Sequence, residues 1–181
     1  MDDALTHWIN AAAGDAGALN AIMVGITAYG VPVMILLVAA QWWSKLPERL
    51  RLRHAIVAVG LSCILGFVLN QLILLFVHRL RPYDSGLTHL IVQRSAEWSF
   101  PSDHATVAAA IPAAWALQRE WGRTVVFAIL ALAVGWSRLF VGTHYVSDVL
   151  GGFATAIVAA MVVRTLYRAG TRFDRAVTAM L

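Results

Sequence analysis

Apolar stretches long enough to cross a bilayer fill most of this chain, and nothing else constrains its fold as strongly. A spanning helix needs roughly 20 mostly apolar residues, since only a helix or closed barrel satisfies its own backbone in hydrocarbon. Five segments meet that description to differing degrees: about residues 19–42, 55–77, 104–117, 125–141 and 149–167. The third is short and Ala-rich and begins at a charged motif. Only 13% of the 181 residues are charged, against about 25% in a soluble domain. There is no internal repeat and no low-complexity linker. The expected fold is all-α, a polytopic transmembrane bundle of about five or six helices. It forms one integral-membrane domain over residues 1–181.

The ends add little to that frame. Residues 4–13 suit a short amphipathic helix at the interface, carrying Trp8. The start Met1-Asp2-Asp3 has no basic n-region, so no cleavable signal peptide is expected. Cys63 stands alone in an apolar run and reads as a packed side chain.

The net charge of +4 could suggest nucleic acid, but the basic residues sit between apolar stretches. Their placement therefore describes topology, and no nucleic-acid partner is expected. With the N-terminus outside, the cytoplasmic side receives ten of the fourteen Lys and Arg residues, from Lys45 to Arg175. The outside keeps Arg79, Arg81, Arg94 and Arg138. Glu48, Glu120 and Asp174 fall inside, and the other seven acidic residues, Asp15 among them, fall outside. The asymmetry favours N-terminus out and C-terminus in.

On that topology three polar clusters share the outer face. They are His78-Arg79-Leu80-Arg81-Pro82, then Pro101-Ser102-Asp103-His104, then Ser137-Arg138 with His144 and Asp148. Ionisable residues at membrane depth are costly and are functional candidates by default. Arg81 and Arg138 offer planar donor forks suited to phosphate oxygens. Ser102 stands where a helix begins, so its side chain can cap while nearby backbone N–H groups face an anion. His144 and Asp148 lie four apart, on one face if that stretch is helical, so the carboxylate can orient the imidazole. That arrangement suits a histidine nucleophile, with His104 as general acid. Taken singly, each residue has a plainer reading: Asp148 as a helix cap, Ser102-Asp103 as an N-cap, Arg94 and Arg164 as snorkelling side chains. His7, His54 and His89 read as structural hydrogen-bonding residues. The coincidence of three clusters on one face favours a site.

The motifs in residues 74–152 resemble those of the type 2 phosphatidic acid phosphatase superfamily, whose pattern is K-x6-R-P, P-S-G-H and S-R-x5-H-x3-D. The third motif is matched at every specified position by Ser137-Arg138, His144 and Asp148. The resemblance implies that His144 attacks phosphorus to form a phosphohistidine, with Asp148 orienting it and His104 protonating the leaving group. It further implies that Arg81, Arg138 and Ser102 bind phosphate and that no metal or other cofactor is needed. Two positions depart from the pattern. Leu74 stands where the first motif has Lys, so a phosphate contact must come from elsewhere. His78 and Arg79 are nearest, and Arg79 is preferred for its permanent charge. Asp103 stands where the second motif has Gly. The string Ser99-Phe100-Pro101-Ser102-Asp103-His104, with Asn70-Gln71, is similar to the bacterial undecaprenyl-diphosphatase branch.

The expected function is therefore hydrolysis of a polyprenyl diphosphate drawn from the bilayer of a bacterial plasma membrane. Three alternatives stand beside it. One is a phosphatase of the same superfamily acting on phosphatidylglycerol phosphate or phosphatidate. Another is a metal-dependent hydrolase using His104, His144, Asp148 and Asp103, opposed by the two arginines nearby. The third is a non-catalytic lipid-binding or transport protein.

Overall fold

The structure, a computed structural model, describes the chain apart from residues 15, 16, 46, 180 and 181. Asp15, counted above on the outer side, lies outside the described residues. Among the described residues seven α-helices follow one another: α1 (Asp2–Asn10), α2 (Gly17–Ala40), α3 (Arg49–Leu74), α4 (Asp103–Leu117), α5 (Trp121–Phe140), α6 (Val146–Leu166) and α7 (Arg172–Thr178). Among the described residues there is no strand.

Among the described residues four helices are long and apolar enough to cross a membrane on their own: α2 with its 3-10 extension to Trp43, α3, α5 and α6. The fifth expected span is different. At 15 residues, α4 is about 22 Å long, short of the roughly 30 Å hydrocarbon core. It is the central helix, packed against α3, α5 and α6, and it still passes from the end of the bundle that holds His104 to the end that holds Arg119. Its small residues permit this, with Ala105, Ala108, Ala110 and Ala114 all buried. Trp115 and Ile111 fill the core beside Met34 and Val134. The outer faces carry exposed apolar side chains such as Leu36, Phe67, Ile129 and Ile157. On a chain with these spans, that surface suits acyl chains rather than water.

Two glycines set how closely the site elements approach. A Cβ at Gly152 of α6 would lie 2.7 Å from the Ser102 carbonyl oxygen and 2.9 Å from Thr106 Oγ1. Only glycine lets α6 press against the start of α4 there. Gly142, between α5 and α6, has φ +81, and a Cβ there would lie 2.6 Å from the His89 carbonyl oxygen. It turns the chain so that residues 141–145 lie at the same end of the bundle as the start of α4.

The N-terminal helix docks on that same end. Thr6, Ile9 and Asn10 are buried, while Leu5 and Trp8 are exposed. Asp2 accepts from the Ser147 backbone N–H at 3.0 Å, and Thr6 Oγ1 accepts from the Val146 N–H at 3.1 Å. Two of the orphan N–H groups that begin α6 are thereby satisfied from α1. Asn10 donates to the carbonyls of His89 and Phe140 and accepts from the His89 N–H.

Candidate active site

The three polar clusters surround one cavity of about 170 Å³, bordered by Arg81, His104, Arg138 and His144 among others. Each reaches it for a local reason. Ser102 is the N-cap of α4, accepting from the Ala105 N–H at 3.5 Å, and this starts the helix so that His104 falls in its first turn. Arg138 stands in the last turn of α5. His144 lies in the turn that Gly142 permits, two residues before α6 begins.

His144 is 3% exposed. Its Nδ1 lies 2.9 Å from the Ser99 carbonyl oxygen. A carbonyl only accepts, so Nδ1 carries the proton and Nε2 keeps its lone pair. Arg81 Nη1 donates to that lone pair at 3.2 Å. Burial pushes the His144 pKa down to about 4, helped by the guanidiniums of Arg138 and Arg81 and opposed by the Asp148 carboxylate. The imidazole is neutral at pH 7, the form in which Nε2 is a nucleophile.

Asp148 relates to His144 less directly than the four-residue spacing suggests. Its Oδ2 is 3.6 Å from His144 Nδ1, beyond hydrogen-bond length. That carboxylate instead accepts from the Tyr145 N–H at 2.8 Å, from the Ser99 hydroxyl and from Arg79 Nη1 at 2.8 Å. It therefore fixes Ser99, which fixes the histidine. Both carboxylate oxygens thus carry donors, Oδ1 from Arg79 and Oδ2 from Ser99 and Tyr145. Among the described residues no group of three or more His, Cys, Asp and Glu side chains is spaced to hold a metal ion.

The two motif arginines differ. Arg81 is 5% exposed and well held, donating to the carbonyls of Glu97 (2.8 Å), Thr143 (3.2 Å) and Trp98 (3.4 Å) and to Ser95 Oγ (3.3 Å). Arg138 is 8% exposed, and its Nε is buried without a partner. Among the described residues its guanidinium has no hydrogen bond or carboxylate. A buried, unpaired cation bordering a cavity is costly unless an anion completes it.

Arg79, expected among the phosphate contacts, does not border the cavity. Its guanidinium lies behind Asp148, bonded to Ser147 Oγ (2.6 Å), Asp148 (2.8 Å) and Asp2 (2.8 Å), and it stacks 3.7 Å from the Tyr145 ring centroid. These carboxylates outcompete the open cavity for its donors, and the hydrogen bond to Asp2 holds its pKa above the ordinary arginine value despite burial. His78 packs on Trp98, with ring centroids 5.1 Å apart. Leu74 does border the cavity, so the position of the family's Lys is an apolar wall here. Ser102 is fully buried and does not border the cavity, and its hydroxyl is used as the cap.

Asp103 also finds its partners. Asn70 Nδ2 donates to it at 2.7 Å and Gln71 Nε2 at 3.2 Å. These two amides join the last turns of α3 to the first turn of α4, beside the cavity. Sequence reasoning left out Ser95, Glu97 and Trp98, which border the cavity from the irregular segment 75–102. It also missed Ser99 as the residue holding His144. No periodicity marks these positions, because the segment is neither helix nor strand.

The family model for the PAP2 superfamily matches residues 55–172. The chain is 38% identical over 141 residues to the undecaprenyl-diphosphatase BcrC of Bacillus subtilis, covering 77% of this chain and 70% of that one. It is 27% identical over 165 residues to phosphatidylglycerophosphatase B of the same organism, covering 81% and 74%. The crystal structure of a transmembrane PAP2-type phosphatidylglycerolphosphate phosphatase from Bacillus subtilis has a similar fold. Its TM-score is 0.68 at 24% identity, over 94% of this chain and 88% of that one. With four apolar spans and these motifs around one cavity, the chain belongs to the PAP2 superfamily and is a membrane lipid phosphatase.

Proposed function

We propose that the chain hydrolyses undecaprenyl diphosphate to undecaprenyl phosphate and phosphate, through a phosphohistidine on His144. The observation that carries the chemistry is Arg138, a buried guanidinium without a partner beside a neutral histidine. The similarity to BcrC supports this substrate above others.

In the proposed reaction the terminal phosphate enters between Arg138 and Arg81, and the Arg81 contact to His144 gives way to it. Nε2 of His144 attacks the terminal phosphorus in line. The bond from that phosphorus to the bridging oxygen breaks, and His104 passes a proton to that oxygen. Burial and the Arg138 and Arg81 guanidiniums push the His104 pKa down to about 4, so it is neutral before phosphate enters and takes up that proton with the incoming phosphate. His104, now neutral, takes a proton from water as the water attacks phosphohistidine, releasing phosphate and restoring both imidazoles. Most of the work is positioning and charge neutralisation, which paired guanidiniums supply. Ser102 acts through the start of α4 rather than by a hydroxyl contact. The proposed topology is that of a bacterial plasma-membrane protein with the N-terminus and active site outside and the C-terminus in the cytoplasm, as the Lys and Arg distribution favours.

The similarity to phosphatidylglycerophosphatase B makes phosphatidylglycerol phosphate the competing substrate. Phosphate release from undecaprenyl diphosphate, phosphatidylglycerol phosphate and phosphatidate in detergent, with and without EDTA, separates these readings. The highest kcat/KM is expected on the diphosphate, unaffected by chelator. A preference for phosphatidylglycerol phosphate would overturn the substrate, and loss of activity in EDTA would overturn the mechanism.

A further inference from the structure

The end of the bundle remote from His144 holds a larger cavity, about 580 Å³, that the phosphatase chemistry does not use. It is bordered by Arg51, His54, Gln118, Arg119, Arg164 and Arg175. Its four arginines come from the start of α3, the turn after α4, the end of α6 and α7, so four separate elements converge on it. Arg51 is shared with Glu48 at 3.3 Å and Glu120 at 3.5 Å. Among the described residues Arg119, Arg164 and Arg175 have no carboxylate partner and no side-chain hydrogen bond. All three are exposed and so open to a ligand.

Among the described residues the one carboxylate bordering this cavity, Asp174, is already occupied. Tyr167 donates to it, the Gly170 N–H donates at 2.7 Å, and His54 Nδ1 lies 2.8 Å away. It makes no ion pair with Arg119, Arg164 or Arg175 among the described residues. His54 is 5% exposed, and its Nε2 is buried without a partner among the described residues. Arg119 adopts φ +61, a left-handed conformation that side chains other than Gly, Asn and Asp rarely take. Three unpaired cations around one bay repel one another, and an anion between them removes that repulsion. Guanidinium forks match phosphate oxygens, and basic pockets between helices at a membrane face suit phosphorylated head groups.

We infer that this bay, formed by Arg119, Arg164 and Arg175, binds a phosphate-bearing anion at a second site, separate from the cavity at His144. The source is either the head group of an anionic phospholipid or free phosphate. The site needs no chemistry from the first one, so it stands whatever substrate the enzyme prefers.

The test uses the full chain in detergent with phosphatidylglycerol carrying a photoreactive acyl chain, and the matching phosphatidylcholine as control. Labelled peptides are mapped by mass spectrometry. Phosphatidylglycerol is expected to label segments around residues 117–124 and 164–175 at least about tenfold more than phosphatidylcholine, the scale of about 1.4 kcal/mol. The triple variant Arg119→Gln, Arg164→Gln, Arg175→Gln is expected to lose that preference while keeping turnover. Protection of these segments by inorganic phosphate supports the site with free anion as its ligand, and selective labelling that phosphate leaves intact supports it with the lipid head group. Equal labelling by the two lipids without phosphate protection, or undiminished selectivity in the triple variant, overturns the inference. If the triple variant does not fold, the two lipids and phosphate on the unaltered chain decide it alone.

Discussion

Among the described residues there are two His–Asp pairs, and the one with the shorter contact is the one away from the catalytic cavity. His54 Nδ1 lies 2.8 Å from Asp174, whereas His144 Nδ1 lies 3.6 Å from Asp148. His54 stacks on Tyr167 with ring centroids 4.6 Å apart, and its Nε2 is buried. Asp174 there gathers donors from His54, Tyr167 and Gly170, joining the start of α3 to the end of α6 and α7. At the other end a backbone carbonyl holds His144, and its Nε2 meets an arginine at a cavity. The length of the carboxylate contact therefore does not mark the reactive histidine. A ring nitrogen that meets buried guanidiniums at the motif cavity does.

The largest expected effect tests that difference at both ends. His144→Ala is expected to lower turnover at least about a thousandfold, the scale of losing a nucleophile, with helix content and thermal unfolding little changed. Asp174→Asn is expected to do the reverse. It keeps turnover and costs about 1–3 kcal/mol of stability, since buried donors lose a charged acceptor. Phosphate release and thermal unfolding in detergent read both variants. An active His144→Ala protein, or a stable but inactive Asp174→Asn protein, would exchange the roles assigned to the two pairs.

Arg79 gives a smaller effect with a clear direction. It donates to Asp148, which accepts from Ser99, whose carbonyl holds His144. Losing one charge-assisted hydrogen bond costs about 1.5–3 kcal/mol, or about ten- to a hundredfold in rate if it is felt in the transition state. Arg79→Gln is expected to lower kcat by that amount with KM nearly constant, because Arg79 does not border the cavity. Arg79→Lys should recover part of the loss. A rise in KM without a fall in kcat would return Arg79 to the phosphate-binding role that the sequence suggested.

Much of this was legible in the sequence because it depends on period and spacing. Apolar runs announced α2, α3, α5 and α6, and the motif residues His104, Arg81, Arg138 and His144 do border one cavity. Where the reading failed, competition between partners decided. Arg79 had a choice between an open cavity and two carboxylates, one of them supplied by Asp2, 77 positions away. The spacing of His144 and Asp148 promised a direct contact, but the turn at Gly142 and the N-cap geometry of α6 gave the carboxylate to Tyr145, Ser99 and Arg79. Asp103 had no evident purpose until Asn70 and Gln71 were brought beside it by the packing of α3 on α4. The short α4 was legible as an apolar alanine-rich run, and what the sequence did not show is that it lies in the middle of the bundle, where a short helix of small residues suffices.

The smallest expected effect is the absence of a titration. An unperturbed histidine gains its proton near pH 6.5. In His144 burial lowers that to about 4. The shift disfavours the protonated form, so the nucleophile stays neutral as the pH falls from 8 to 5 and is lost only as the pH passes through about 4. NMR of ring-labelled histidines, assigned by difference from His144→Ala, should show the His144 ring holding one proton, on Nδ1, across that range. The Ser99 carbonyl requires that tautomer, and a nucleophilic Nε2 requires it too. A ring that charges near pH 6.5 would mean that Asp148 governs His144 directly. The catalytic pair would then resemble the His54–Asp174 pair, and the contrast between the two ends would fail.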